Sequence, residues 1–419
     1  MNRVERWVVV VLLGSGIFAA DASVRAAAPS AIACIRTGTI GLLRAEEPSR
    51  QVATQAGRES SNADFRAEIE QAKKMARTAY DEGLIAYDLD PKGTRIKPSG
   101  FSIAVAVNGK VMWAQGFGYA DLEQKVPVTS DTKFRIGSVS KPLTAAAVAL
   151  LSQQGKLDVD APVQHYVPTF PDKGVAITTR EVGGHLAGFR HYKDGEFETC
   201  AHYENVVDSL DIFKNDPLIA PPGTKFSYSS YGFNLISAVV RGASDKGFRD
   251  YMHENVFMPL GMKNTVPDEE DTIIPNRARF YNYTKKGTYE NAPLTDNSYK
   301  WAGGGFLSTP SDLVTFGSAL LHPGFLNEDS LKLLFTRQHT NAGAPIPYAF
   351  GWFIHDKAGE ARVFEHSGGA TGGSAHLLLY PDQGVVVAWT MNTTGLNTGP
   401  LDGIGRVFVN RVERGKQQK

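Results

Sequence analysis

The chain has 419 residues with 44 basic and 44 acidic side chains, a balance that leaves no electrostatic footprint for nucleic acid or a polybasic membrane surface. Cys34 and Cys200 are its only cysteines, too few for a disulfide framework to carry the fold. The length supports a large core, and no internal repeat or linker divides the body of the chain.

At the N-terminus, Arg3 and Arg6 precede an unbroken apolar run from Trp7 to Leu13 that stays mostly apolar to Ala20. That is the layout of a signal peptide, and it is short of the ~20 apolar residues of a spanning helix. Small-residue cleavage patterns at Ala20-Asp21-Ala22 and Ala26-Ala27-Ala28 place a leader over residues 1–28. The expected destination is export, to the periplasm or beyond. A mitochondrial leader is the rival, because Arg25 and Arg36 follow and acids are few, but the continuous valine-leucine block fits an amphipathic transit segment poorly. The same run could associate the chain with a membrane; Cys34 lies too far from it to read as a lipidation site. Residues 29–62 are small, polar and aperiodic, and read as a flexible spacer. A single folded domain is expected over 63–413, with a polar tail at 414–419.

Asp64 opens an amphipathic helix, with Phe65, Ile69, Ala72, Met75 and Ala79 on one face. Strands over Phe101–Val107 and Lys110–Phe117 flank Asn108-Gly109, a strong hairpin signal. The middle of the chain reads as mostly helical. Within it, Thr309-Pro310-Ser311-Asp312 caps a helix that runs into Leu313, Phe316 and Leu320. Strands return at Tyr348–Ile354, Val363–His366, Ala375–Tyr380 and Val385–Met391, and a helix over about Leu401–Val412 closes the chain. The expected class is α+β: an antiparallel sheet formed from both chain ends and flanked by helices, with a mostly helical second lobe.

The chemistry starts at Gly137-Ser138-Val139-Ser140-Lys141-Pro142. Ser-x-x-Lys is a weak pattern alone, and Ser130-Asp131-Thr132-Lys133 matches it too. Only Ser138 leads straight into a strong helix former, Leu143–Leu151, with Pro142 confined to the helix start. There Ser138 and Lys141 share a face. A serine hydroxyl needs a base to take its proton, and lysine serves only if its pKa falls from about 10.4. A drop of roughly 3 units takes about 4 kcal/mol of bias against the charged form. Ser138 as N-cap and Lys141 as a solvated charge is the plain alternative.

Two other segments bear on that choice. Tyr228-Ser229-Ser230 sits on a turn ahead of a helix over Phe233–Val240, where Tyr228 could share proton transfer. His366-Ser367-Gly368-Gly369 ends a strand, and its glycines let a substrate approach main-chain N–H groups. In this order, Ser-x-x-Lys, Tyr-Ser-x and His-x-Gly resemble the β-lactamase-related serine hydrolases, which include class C β-lactamases, D-Ala-D-Ala carboxypeptidases and related esterases and peptidases. The resemblance runs from about Asp64 to Arg411 and extends to His185-Leu186-Ala187-Gly188, Gly303–Thr309 and Gly351-Trp352. Within the family the closer likeness is to its mitochondrial serine β-lactamase-like branch, carried by Val163–Pro168, Phe213–Leu218, Asn276–Tyr281 and Asn297–Gly305. The stretch from Tyr192 to Asp208 is short where the animal form has a long lysine-rich insertion, so the resemblance implies nothing about shared assembly, and the oligomeric state stays open.

The resemblance implies that Ser138 is acylated, Lys141 is the general base and Tyr228 shares the proton traffic. It also implies an oxyanion hole from the N–H groups of Ser138 and Gly369, with Ser367, Gly368, Ser230 and His366 lining the substrate site. Class C lactamases have asparagine at the place of Ser230 and lysine at that of His366. Histidine is mostly neutral at pH 7, so the expectation is peptide or ester hydrolysis on a small-molecule or peptide substrate over efficient antibiotic destruction. If His366 binds a substrate carboxylate as imidazolium, activity toward acidic substrates falls as pH rises through about 6.5. No cofactor or metal is implied: there is no His-Glu-x-x-His or Cys-x-x-Cys, and His185 and His191 read as structural. No Gly-x-Ser-x-Gly elbow or phosphate loop is present either. A catalytically silent scaffold or ligand-binding protein that keeps the pocket is the alternative from a different class.

Overall fold

Asn108 and Gly109 both take positive φ (48° and 79°), the twist that closes a two-residue hairpin, and Val107 pairs with Lys110 across it. In the computed structural model, which describes residues 65–86, 89 and 93–417, this hairpin joins β1 (Gly100–Val107) to β2 (Lys110–Asp121). A short β3 (Val126–Pro127) follows, and β4 (Phe353–His355), β5 (Val363–Ala370), β6 (Gly373–Tyr380) and β7 (Val385–Met391) come from the other end of the chain. The described residues form a seven-stranded antiparallel sheet in the order β4-β5-β6-β7-β1-β2-β3. The seam is β7 against β1, in register from Val385–Val107 to Met391–Phe101.

Every residue of β1 and β7 is buried, so the centre of the sheet needs cover on both faces. One face carries Phe101, Ile103, Val105 and Val107 beside Val385, Val387 and Trp389. It is covered by α1 (Arg66–Asp81) and α6 (Gly399–Gln417), and the ring of Phe65, just ahead of α1, stacks on Phe408 of α6 at 6.1 Å. The other face, with Ala104, Ala106, Val386 and Ala388, meets the larger core. That core contains α2 (Ser140–Gln153), α3 (Ser230–Ser244), α4 (Pro310–Ala319) and α5 (Glu328–Phe335). The α+β class and the sheet built from both chain ends stand.

Several boundaries differ from those read in the sequence. The leader, the spacer, Cys34 and Asp64 lie outside the described residues; α1 starts at Arg66, with Phe65 ahead of it. The strand expected over Tyr348–Ile354 shrinks to Phe353–His355, because Gly351 (φ 82°) turns the chain and Ala349 N donates to Trp352 O at 2.8 Å. β5 runs on to Ala370, so the glycines stand inside the strand rather than beyond it. The closing helix reaches Gln417 and takes in residues 414–417 of the expected tail. The second lobe is helical in its frame, but residues 184–229 contain only the 3-10 turn Asp208–Ile212, since Gly188, Gly195, Pro217, Pro221 and Gly223 interrupt any helix.

One buried charge cluster ties α6 to the sheet. His376 on β6 bonds Asp402 of α6 through Nδ1 at 2.8 Å and Glu365 of β5 through Nε2. His355 Nε2 meets the other oxygen of Glu365 at 3.0 Å, and Trp389 Nε1 donates to Asp402 at 2.7 Å. Burial alone would lower the His376 pKa, but Asp402 and Glu365 push it up to about 10. Burial would raise Glu365, but His376 and His355 hold it far below the usual carboxylate range. A histidine raised from about 6.5 contributes stability that is complete below that value and is lost as pH rises through its folded pKa. The Glu365 contribution runs the other way and is lost as pH falls below about 4.5. Thermal melts are therefore expected to show this cluster's stabilisation peaking between about pH 4.5 and 6.5 and declining toward pH 10. His376→Gln should flatten the alkaline decline; an unchanged slope in that variant would refute the assignment.

Candidate active site

The chain enters the site through the short strand Phe134–Arg135, which pairs with Phe306–Ser308. Gly137 then turns it with φ 49°, where a Cβ would lie 2.4 Å from Gly369 O. Ser138 occupies the 3-10 turn Gly137–Val139, and α2 begins at Ser140. Pro142 falls in the first helical turn, where a missing N–H costs nothing. Lys141 thus comes one turn after Ser138, its amine 2.9 Å from Ser138 Oγ.

Lys141 is fully buried. Its amine also reaches Ser230 Oγ at 3.2 Å and Gly303 O at 2.8 Å, and it sits between the rings of Tyr228 (4.9 Å) and Phe233 (5.5 Å). No carboxylate pairs with it among the described residues. Burial pushes its pKa well below the usual lysine value, and the nearby Lys300 ammonium adds to the shift. The rival motif differs: Lys133 Nζ donates to Pro275 O at 3.0 Å, in a separate place.

Tyr228 lies just ahead of α3, its ring centre 4.9 Å from the Lys141 amine, and burial raises its pKa so that the phenol keeps its proton. Ser229 caps α3, accepting from Gly232 N, and Ser230 is the first helical residue. Two histidines hold this turn by the backbone: Ser229 N donates to His185 Nδ1 at 3.1 Å and Ser230 N to His191 Nδ1 at 3.3 Å. Both imidazoles must be neutral to accept, and burial lowers both, His191 to about 4. Their structural role agrees with the sequence.

β5 closes the opposite side. A Cβ on Gly368 would sit 1.9 Å from Ile136 O and 3.1 Å from Ser138 N, so only glycine lets the strand come this near. Gly369 has open space where a Cβ would be, and Ser367 and Gly369 are exposed. His366 departs from expectation. It is buried, with Nδ1 against Ser367 O at 2.6 Å and Nε2 against Tyr348 OH at 2.9 Å. Burial, reinforced by Lys141, lowers its pKa to about 3. With both ring nitrogens engaged and the ring neutral, His366 offers no imidazolium to a substrate carboxylate. The expected loss of activity through pH 6.5 does not follow from it.

Three neighbours escape sequence reasoning. Tyr192 packs edge-on against the rings of Tyr231 and Tyr299 at 5.0 and 6.1 Å, and Lys300 lies buried with its amine 3.2 Å from Phe197 O and 4.3 Å above the Phe197 ring centre. Burial and Arg135 bring Lys300 down to about 7. Tyr299 and Lys300 fall in the Asn297–Gly305 segment already singled out, whereas Tyr192 has no local signal.

Comparison with known proteins places these features. The family model described as Beta-lactamase matches residues 89–408. The mitochondrial serine beta-lactamase-like protein LACTB of Bos taurus is 34% identical over 424 residues, covering 72% of this chain and 75% of that one. Penicillin-binding protein 4* of Bacillus subtilis is 28% identical over 307 residues, covering 70% and 67%. Among solved structures, the D-amino acid amidase from Ochrobactrum anthropi SV3 superposes with a TM-score of 0.66 at 22% identity, covering 85% of this chain and 98% of that one.

Two measurements follow from this geometry. Gly368→Ala should displace β5 from Ser138 and slow acylation by about 100-fold, the scale of an ångström's misplacement; wild-type acylation would contradict the close approach. The His366 ring resonances in an NMR titration should stay constant from pH 8 to 5, and a midpoint near 6.5 would restore the ionising role.

Proposed function

The chain belongs to the β-lactamase family, and from that footing we propose that it is a serine hydrolase that acts through an acyl-enzyme on small amide or ester bonds. The observation that carries this is the Lys141 amine, buried without a counter-charge and 2.9 Å from Ser138 Oγ. Ser138 Oγ adds to the carbonyl carbon as its proton passes to Lys141 Nζ. The N–H groups of Ser138 and Gly369 are the proposed oxyanion donors; the close approach of the two segments, with Gly369 N only 2.9 Å from where a Cβ on Gly137 would stand, supports the pairing. The bond to the leaving group then breaks. The leaving atom takes a proton from Tyr228, whose phenolate recovers one from the Lys141 ammonium. Water adds to the ester with Lys141 again as base, the acid product departs and Ser138 regains its proton.

The neutral His366 supports peptidase or esterase action over efficient β-lactam turnover, because no fixed positive charge stands there for a substrate carboxylate. The N-terminal leader is proposed to export the chain; a mitochondrial destination is the second reading, favoured by the name of the 34% identical relative. Peptide or small-molecule substrate is the proposed partner.

A fluorophosphonate probe should label the wild type and fail to label Ser138→Ala. Lys141→Met should lower turnover of p-nitrophenyl esters by about 10²–10⁴-fold. Wild-type activity should fall as pH drops through the lowered Lys141 pKa, since the protonated amine cannot act as base. Persistent labelling of Ser138→Ala overturns the nucleophile. Folded wild-type protein inert to esters, peptides and nitrocefin overturns the enzyme reading in favour of a binding role.

A further inference from the structure

The side chain of Arg135, three residues ahead of Ser138, reaches away from its own strand in two directions. Its Nε donates to Asp268 Oδ2 at 2.7 Å and its Nη1 to Thr371 O at 2.9 Å. Thr371 lies in the turn that joins β5 to β6, just past the Ala370–Gly373 pair and two residues beyond Gly369. The guanidinium also lies over the Phe280 ring, 4.1 Å from its centre. The same turn packs on that residue, since a Cβ on Gly372 would stand 2.7 Å from Phe280 Cβ. The backbone of Arg135 thus leads into the Ser138 turn while its side chain holds the strand opposite. Both bonds leave one planar group, whose fork fixes the angle between them.

Asp268 is the anchored end of this strap. It is buried and follows Val266–Pro267, which pairs with Phe306–Ser308, the strand that also pairs with Phe134–Arg135. Asn297 Nδ2 donates to the same Oδ2 at 2.7 Å, Arg277 Nη1 approaches Oδ1 at 3.4 Å, and Asp268 N donates to Gly305 O at 2.9 Å. The segment 297–305 is therefore pinned at both ends, with Gly303 O, an acceptor for Lys141, between them.

We propose that Arg135 is a positioning residue that sets Gly369 against Ser138, with Asp268 as the anchor that ties this setting to the segment holding Lys141. This rests on the reading of Ser138 as nucleophile and of the Gly369 N–H as an oxyanion donor. Arg135 acts through the Thr371 carbonyl and not on the reacting atoms. Asp268 keeps Arg277 and Asn297 when the guanidinium is removed, so its loss frees the turn rather than stranding a bare buried charge.

The test is the second-order rate of fluorophosphonate labelling at Ser138 in the full chain, with thermal melts in parallel to score folding. Arg135→Lys keeps the charge opposite Asp268 but has one ammonium head in place of a fork. It should label about tenfold more slowly, the worth of one hydrogen bond. Arg135→Met should label about 100-fold more slowly, the scale of an ångström's misplacement. Combined with Gly368→Ala it should be no slower than the slower single variant, because both changes shift the same strand. In Arg135→Lys, turnover of a p-nitrophenyl ester should fall about tenfold further than that of the matching thionoester, whose sulfur gains little from oxyanion donors. A loss of folded protein alone lowers both substrates in proportion and leaves their ratio where it was. Wild-type labelling of Arg135→Lys, multiplying losses with Gly368→Ala, or an unchanged ester-to-thionoester ratio overturns the proposal. If Arg135→Met does not fold, Arg135→Lys decides alone. Failure of the underlying reading is distinct, since the wild type itself would then not label at Ser138.

Discussion

Taking an amine out of water is costly while it carries charge, and the cost falls away once it gives up its proton. At the base of α2, Lys141 is surrounded by two rings, two hydroxyls and one carbonyl, with no acid beside it. Ordinarily such a lysine would find a carboxylate partner, and an ion pair there would keep it charged and useless as a base. The neighbours are instead arranged to satisfy an uncharged nitrogen: acceptors for two N–H bonds and one donor for the lone pair. Lys300, itself buried and depressed to about 7, adds a repulsive bias. Ser138, Tyr228 and Ser230 are significant because of their distance from this nitrogen.

The fold delivers those neighbours from distant parts of the chain. The 3-10 turn ahead of α2 supplies the serine and α2 the lysine, α3 begins with Ser230, and β5 provides the wall at Gly368 and Gly369. Each arrives with its own anchor. His185 and His191 hold the backbone of the Tyr228–Ser230 turn, and the crossing of Gly368 over Ile136 fixes the strand against the Ser138 turn. Alternation along β5 does the rest: Ser367 and Gly369 are exposed while His366 turns inward to Tyr348. A residue that by family pattern belongs to the substrate pocket has become part of its support.

What could be read in the sequence was what local chemistry dictates. Asn108-Gly109 makes its own hairpin, Thr309-Pro310 starts its own helix, and Pro142 limits where α2 begins, which puts Lys141 over Ser138. The ionisation of His366 was not legible, because it depends on burial and on Lys141, which only the folded chain brings together with it. Tyr192 was hidden for the same reason on a larger scale. It stands in an irregular segment with no period to read, and its place is set by Arg190 gripping Glu196 and Asp216, side chains six and 26 positions away. Long-range ionic ties of that sort leave no pattern in adjacent residues.

The β1–β7 seam has a consequence for how the protein is made. Its two strands are the most deeply buried in the sheet, yet Val107 must wait for Val385 to be synthesised before it can pair. Until then β1 can pair only with β2 across its hairpin and its other edge stays open, a state that invites chaperone capture. The site itself is complete only once β5, which carries Gly368 and Gly369, has left the ribosome and closed on the Ser138 turn.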